Sequence, residues 1–260
     1  RMLIETDRDA LLAPLLQAGG IVERRQTLPI MANILLETHE DSLRITATDL
    51  EVELKTQASA RCDEEFKCTI PARKLLDICK ALPEGAKVRL EIDGERAVLR
   101  SGRSRFTLSL LPAQDFPVIE PVAGTQVLDL EQTVLKRLIE RTQFAMAQQD
   151  VRYYLNGMLL EAADGMLRAV ATDGHRLSLS EVPFELGVPG EGFQIIVPRK
   201  AVMELGRLLG DGENTIKLEL SGSHIRLHSD ELIFTSKLID GKYPEYRRVI
   251  PVPSENEFTV

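Results

Sequence analysis

The sequence predicts an α+β fold built from tandem copies of one unit, each with two helices packed on mostly antiparallel sheets. Two observations lead there. The chain repeats itself with a period of about 124 to 128 residues. Within each copy, apolar residues alternate between strand period and helix spacing.

The clearest matching stretch is Ile34-Leu35-Leu36-Glu37 with Leu43-Arg44-Ile45-Thr46-Ala47-Thr48-Asp49. It aligns with Met158-Leu159-Leu160-Glu161 and Leu167-Arg168-Ala169-Val170-Ala171-Thr172-Asp173 at a constant offset of 124. Each copy reads as strand, turn and strand, with Asp41 in one turn and Asp164-Gly165 in the other. Upstream, Leu11, Leu12, Leu15 and Leu16 match Val134, Leu135, Leu138 and Ile139, and both sets have the spacing of one apolar helix face. Pro14 weakens the first of these helices as a prediction, because it removes a backbone hydrogen bond.

Downstream, strands over 66–70 and 193–197 run into Pro71 and Pro198, and each Pro opens a helix. These helices reach about Leu82 and Leu209, where Gly85 and Gly210 act as stop signals. Alternating strands follow at Val88–Ile92 and Ile216–Leu220, turning at Asp93-Gly94 and Ser221-Gly222. Each copy closes on an aromatic-Pro pair, Phe116-Pro117 and Tyr243-Pro244. The boundary falls near Val122 to Gln126, which gives a first domain at 1–124 and a second at 125–252. Residues 253–260 read as the strand that opens a third copy, from which we expect that a third repeat has been removed. A plain tandem duplication without further meaning would leave the same periodicity.

Composition sets outer bounds. Hydrophobic residues make up 43% and charged residues 28%, as in an ordinary soluble protein. No apolar run approaches the ~20 residues of a membrane helix, so no membrane role is expected. The N-terminus has no signal-peptide core, and Arg1 ahead of Met2 reads as an expression remnant. Cys62, Cys68 and Cys79 are odd in number and lack metal-ligand spacing, so free thiols in a reducing cytoplasm are expected.

The net charge of −8 argues against nucleic acid only if charge is spread evenly. It is not. Arg73, Lys74 and Lys80, then Lys136, Arg137 and Arg141, then Arg199, Lys200 and Arg207 sit on the helices. Arg8 lies on the first helix, with Arg24 and Arg25 just past its end. Acidic residues fall mainly in strands and turns, as at Asp63-Glu64-Glu65 and Asp230-Glu231. A basic helix face would neutralise phosphates without reading bases; an ordinary solvated face is the alternative. Gln148-Gln149-Asp150-Val151-Arg152-Tyr153-Tyr154 adds amides, an Arg and two rings that suit phosphate, sugar or base contacts. For one of the two rings, burial at a strand entry is the better reading.

No Walker A loop, dinucleotide glycine motif or HExxH is present, and the four histidines have no zinc-spaced partners, so neither cofactor nor metal is expected. Thr172-Asp173-Gly174-His175-Arg176 is the one cluster with a catalytic look. Its counterpart is Thr48-Asp49-Leu50-Glu51-Val52, and an Asp at a strand end commonly caps a turn.

Several long segments resemble the beta subunit of bacterial DNA polymerase III, the sliding-clamp family. They are Leu28-Pro29-Ile30, Ile70-Pro71-Ala72-Arg73-Lys74, Ser101-Gly102-Arg103-Ser104-Arg105-Phe106, Gln149-Asp150-Val151-Arg152-Tyr153-Tyr154-Leu155-Asn156-Gly157, Ala171-Thr172-Asp173-Gly174-His175-Arg176-Leu177, and Phe234-Thr235-Ser236-Lys237-Leu238 with Tyr246-Arg247-Arg248-Val249. The resemblance spans the chain and implies a non-catalytic processivity factor. Such a clamp has three similar domains per subunit, and two subunits close head to tail around duplex DNA. A clamp loader opens the ring. The DNA polymerase III catalytic subunit, other polymerases and repair proteins bind through short peptides.

The resemblance also implies sites. DNA contacts carry over to Arg24 or Arg25, Arg73, Lys74, Gln149, Tyr153, Tyr154, Arg199 and Lys200. A partner-peptide pocket carries over to Leu155, Thr172, Gly174, His175, Arg176, Leu177, Pro244, Arg248 and Val249. Its opposing wall and one ring-joining surface belong to the family's third domain, so this chain is expected to be a monomer in solution, whereas the full-length protein is expected to be a homodimer. Two alternatives stay open: a peptide-binding hub with incidental DNA contact, and an enzyme using Asp173 and His175.

Overall fold

The computed structural model describes residues 1–25, 27–120, 123–124, 126–187 and 192–253. The expected start of a third repeat at 253–260 lies, apart from its first residue, outside the described residues.

The first repeat runs β1 (Met2–Asp7), α1 (Arg8–Ile21), β2 (Asn33–His39), β3 (Ser42–Thr48), β4 (Val52–Cys62), β5 (Lys67–Pro71), α2 (Ala72–Ala81), β6 (Lys87–Asp93), β7 (Arg96–Ser101) and β8 (Ser104–Ser109). The second repeats that order: β9 (Gln126–Glu131), α3 (Gln132–Glu140), β10 (Gly157–Ala163), β11 (Met166–Thr172), β12 (Leu177–Pro183), β13 (Phe193–Pro198), α4 (Arg199–Leu208), β14 (Thr215–Leu220), β15 (His224–His228) and β16 (Leu232–Lys237). All pairings between these strands are antiparallel, so the predicted fold class holds.

The predicted hairpins form for local reasons. Asp164 and Gly165 both take positive φ, +53° and +72°, the backbone of the tight turn that suits strand twist. Gly94 does the same at +58° between β6 and β7. Helix α1 runs unbroken through Pro14, contrary to the weakness that residue predicts. Burial of Leu11, Leu15, Ala18 and Ile21 against the sheet outweighs the one lost hydrogen bond, and Pro14 is itself buried. Leu16, expected on the apolar face, is instead 41% exposed at the stripe's edge.

Strand β4 organises the molecule. One of its edges pairs with β3 from Ser59 to Glu53. Its other edge is shared: Val52–Thr56 pair with β16 of the second repeat, and Ala60–Cys62 pair with β1 of the first. The two repeats therefore join through a continuous sheet, order β8-β7-β6-β1-β4-β16-β15-β14-β9. The second repeat's inner strands form a separate sheet, β12-β11-β10-β13. One apolar core runs through both repeats, from Ile4 and Leu15 to Leu138, Val202 and Phe234. On its far side the helices lie side by side in the order α2, α1, α4, α3. No helix among the described residues is long and apolar enough to cross a membrane.

Candidate functional site

The predicted pocket residues come from three stretches that β10 and β11 bring together. A short 3-10 turn, Tyr153–Leu155, precedes β10. The turn after β11 holds 173–176, and a second 3-10 turn, Tyr246–Val249, lies beyond the sheet. A satellite apolar cluster fixes their packing: Leu155, Leu159, Val170, Ile196, Tyr243 and Tyr246, with Leu177 and Tyr154 against it. At its end is a cavity of about 400 Å³. Of the residues that the resemblance assigns to a peptide pocket, Leu155, Thr172, Gly174, His175, Arg176, Leu177, Pro244 and Val249 line it. Arg248 does not; its backbone follows the 3-10 turn and its side chain points to solvent. Arg152, Tyr154, Glu245 and Tyr246 line it as well, and sequence reasoning missed them as pocket residues.

Hydrogen bonds make the 173–176 turn rigid. Asp173 Oδ1 accepts from the His175 and Arg176 backbone N–H groups at 2.9 and 3.0 Å. Thr172 Oγ1 donates to the Arg176 carbonyl at 2.6 Å. The Arg176 guanidinium reaches Asp173 Oδ2 at 3.2 Å and the Phe144 carbonyl at 2.6 Å, and lies over the Phe144 ring. Backbone donors and the Arg176 charge hold the Asp173 carboxyl below its ordinary value. Both of its oxygens are thus engaged in shaping a turn, which is the capping role the sequence suggests and leaves no free carboxylate for chemistry.

The neighbouring loop carries its own pair. Arg152 Nε and Nη2 donate to the two oxygens of Asp150 at 3.0 and 2.9 Å, a bidentate fork that lowers the Asp150 carboxyl to about 2. Gln149 is exposed with φ of +55°, and Val151 and Tyr153 project into solvent. Tyr153 and Tyr154 meet edge to face at 5.6 Å. They belong to a 3-10 turn rather than a strand. Tyr153 stays exposed, whereas Tyr154, which the resemblance assigns to DNA, turns into the cavity wall.

The basic residues divide into two groups. Arg73 and Lys74 on α2 and Arg24 and Arg25 past α1 are exposed, with no side-chain partner among the described residues. Lys200 differs. Its ammonium donates to the Ile21 carbonyl at 2.8 Å, Glu23 Oε1 at 2.6 Å and Asp49 Oδ2 at 2.6 Å. Burial would lower the Lys200 pKa, but the Asp49 and Glu23 carboxylates outweigh it and raise it. The residue ties the second repeat to the C-terminal end of α1, where a cation also meets the negative end of the helix dipole. The Lys200 ammonium, which the resemblance assigns to DNA contact, is thus held by three acceptors of the first repeat. Arg207 behaves similarly, donating to the Leu16 and Gln17 carbonyls at 3.3 and 2.9 Å. Arg199 is half-buried and reaches the Met146 carbonyl at 3.5 Å.

Beneath the cavity lies Glu161, which sequence reasoning matched to Glu37 but assigned no role. It is 1% exposed in the middle of β10. Tyr246 Oη donates to Oε1 at 2.6 Å, and Arg247 Nη2 to the same oxygen at 2.8 Å. Arg168 approaches at 3.5 Å, and the Gln194 amide bonds the other oxygen. Burial pushes this carboxyl up, yet the hydrogen bonds from Tyr246 and Gln194 and the charges of Arg247 and Arg168 prevail and hold it below its ordinary value. Burial, and then the Glu161 carboxylate, raise the Tyr246 hydroxyl to about 12. A Glu between the apolar Met158-Leu159-Leu160 and Ala162-Ala163 is the visible signal, since a charge at an inward position needs partners.

Comparison with known proteins places these features in a family. The profile described as DNA polymerase III beta subunit, N-terminal domain, matches residues 2–120, and that of the central domain matches 129–245. The Beta sliding clamp of Pseudomonas putida is 53% identical over 247 residues, covering 94% of this chain and 66% of that protein. That of Escherichia coli K12 is 48% identical over 251 residues, covering 96% and 68%. The chain therefore spans about two thirds of the length of these relatives. A crystal structure of the DNA polymerase III subunit beta from Pseudomonas aeruginosa superposes with a TM-score of 0.92 at 47% identity, covering 97% of this chain and 69% of that one. A structure of the same organism's clamp bound to griselimycin also superposes at 0.92, with 48% identity, covering 98% and 69%. Sharing both domain profiles, this identity and this fold, the chain belongs to the beta sliding clamp family, the beta subunit of DNA polymerase III.

Proposed function

We propose that the chain forms part of a processivity clamp, a cytoplasmic, non-catalytic ring that encircles duplex DNA and tethers the DNA polymerase III catalytic subunit. One observation carries the reading: the two repeats join edge to edge through β16 and β4. By repeat position β8 corresponds to β16 and β12 to β4. Among the described residues, β8 and β12 each have one edge without a strand partner. The two ends are thus complementary in kind, and a head-to-tail join of this sort closes into a ring when the rotation per repeat completes a circle. Two full-length subunits would form that ring, while the chain spanning 1–260 alone stays monomeric.

The helix row α2-α1-α4-α3 carries the exposed Arg73 and Lys74, with Arg24 or Arg25 beside it, and half-buried Arg199. These cations suit sequence-independent phosphate contact. Gln149 and Tyr153 extend the contact to sugar and phosphate. The cavity at Leu155, Leu177 and Val249, apolar with a polar rim, suits a short peptide from polymerases, the clamp loader or repair proteins. A ring that cannot fall off converts such a weak contact into a lasting tether through effective concentration.

The test loads the full-length protein onto a nicked DNA circle with a clamp loader, cuts the circle once and follows retention at moderate salt. Release on cutting is the expected result; equal retention on circle and line would overturn topological binding. Charge reversal at Arg73, Lys74 and Arg199 is expected to weaken non-specific DNA binding and flatten its salt dependence by about one unit of slope per lost contact.

A further inference from the structure

We propose that Glu161 is a positioning residue for the cavity: a buried carboxylate that, through Tyr246 and Arg247, sets the wall against which a peptide packs. The proposal rests on the cavity being the peptide site.

The cavity has two sides of different origin. Leu155, Thr172 and Leu177 belong to the sheet and its turns, whereas Pro244, Glu245, Tyr246 and Val249 arrive on a segment beyond β16. Cavity shape therefore depends on how that segment docks. Tyr243 and Tyr246 anchor it by burial, but apolar burial is non-directional and permits sliding. Two side chains of the 246–249 turn, consecutive in sequence, converge on Glu161 Oε1 at 2.6 and 2.8 Å. Arg247 also stacks on the Tyr246 ring at 5.1 Å. Hydrogen bonds to a buried charge have a narrow geometry, so they fix the register of the turn as packing does not. Gln194 from β13 and Arg168 from β11 hold the carboxylate from the two neighbouring strands. The Glu161 carboxylate thus sits in a fixed place, and the Tyr246 ring is fixed by it.

The first repeat supplies a natural contrast. Glu37 holds the matching position in β2 and pairs with Lys67 of the adjacent strand at 2.6 Å. The segment after β8 is tied elsewhere, by the Ile119 N–H donating to Glu53 at 3.2 Å. The hook from strand to turn is a property of the repeat that has the cavity.

The test measures the affinity of griselimycin, the molecule held by the similar Pseudomonas aeruginosa clamp, by titration calorimetry on the full-length protein. The variants are Glu161→Gln, Tyr246→Phe, the two combined, and Leu177→Glu. Glu161→Gln and Tyr246→Phe are each expected to weaken binding roughly tenfold, the size of a charge-assisted hydrogen bond. The double variant is expected to lie within about twofold of the weaker single one, because both remove the same link. A purely structural role would give independent, multiplicative losses, and that result overturns the proposal. So does unchanged affinity in both single variants while Leu177→Glu abolishes binding, an outcome that leaves the peptide site standing. If Leu177→Glu binds griselimycin normally, the cavity is not the site and both readings fall. Should Glu161→Gln fail to fold, Tyr246→Phe, which keeps the ring, decides alone: unchanged affinity rejects the link.

Discussion

The turn after β3 in the first repeat and the turn after β11 in the second have the same hydrogen bonds. Asp49 Oδ1 accepts from the Glu51 and Val52 backbone at 2.9 and 2.7 Å, as Asp173 Oδ1 does from His175 and Arg176. Thr48 Oγ1 bonds the Val52 carbonyl at 2.8 Å, as Thr172 Oγ1 bonds that of Arg176. They differ in what the second carboxylate oxygen faces. Asp49 Oδ2 receives Lys200 from the other repeat, whereas Asp173 Oδ2 receives Arg176 from its own turn. The strands that follow diverge too. β4 runs eleven residues and pairs with β16, while β12 ends after seven at Pro183, which has no N–H to extend a ladder. One local design thus makes a joint in the first repeat and the rim of a cavity in the second, and the choice lies in long-range partners rather than in the turn.

Removing the joint's cation has the largest expected effect. Lys200→Met leaves Asp49, whose side chain is 8% exposed, with an unpaired buried charge, and should cost about 3 kcal/mol. Arg176→Met in the second repeat removes an exposed pair and should cost under about 1 kcal/mol. Denaturant midpoints of the two variants check the contrast; equal losses would mean that Lys200 does not join the repeats.

Next in size is the buried carboxylate. Glu161→Gln should cost about 2 kcal/mol near neutral pH, where the native state uses the ionised form. The folded Glu161 carboxyl lies below its ordinary 4.5, so its contribution is complete above that value and is lost as pH falls through the folded pKa. The gap between wild type and Glu161→Gln should therefore narrow on acidification below about pH 4.5. Thermal melts across that range test it; a gap that widens in acid would show that the native carboxyl is already protonated.

Local pattern made most of the fold legible. Period and turn chemistry located β2, β3, β10 and β11 and the ends of α2 and α4 to within a residue or two, because those elements are set by spacing and by turn and stop residues such as Asp41, Asp164-Gly165, Gly85 and Gly210. Helix α1 resisted the same reading, since Pro14 argues locally against a helix that burial imposes. Eight residues assigned to the pocket by resemblance converge. Tyr154 was assigned to DNA, because an exposed loop and a cavity wall share one sequence signature. Lys200 was placed on the basic face because neither Glu23 nor Asp49, about 150 to 180 residues away, can be matched to it by spacing. Glu161 was visible as a charge in an apolar strand, but its partners Tyr246 and Arg247 lie beyond the next seven elements.

The smallest effect concerns the turn itself. Leu50 holds φ of +78° where the second repeat has Gly174 at +89°. A left-handed leucine costs about 1–2 kcal/mol, and its side chain, 47% exposed, recovers little by burial. Leu50→Gly removes that strain but gives the unfolded chain more freedom, by about 0.5–1 kcal/mol. The net should be a gain of several tenths to about 1 kcal/mol. The reverse exchange is not its mirror image. A Cβ on Gly174 falls 2.9 Å from Arg152 Nη1. Gly174→Ala therefore adds backbone strain and displaces a guanidinium that both lines the cavity and grips Asp150. It should cost about 1–2 kcal/mol, and it should also weaken cavity binding, whereas Leu50→Gly leaves binding unchanged. Melting temperatures and griselimycin affinity of the two variants, measured side by side, decide the matter. A destabilised Leu50→Gly would mean that the leucine side chain, not the turn, holds the first repeat's joint.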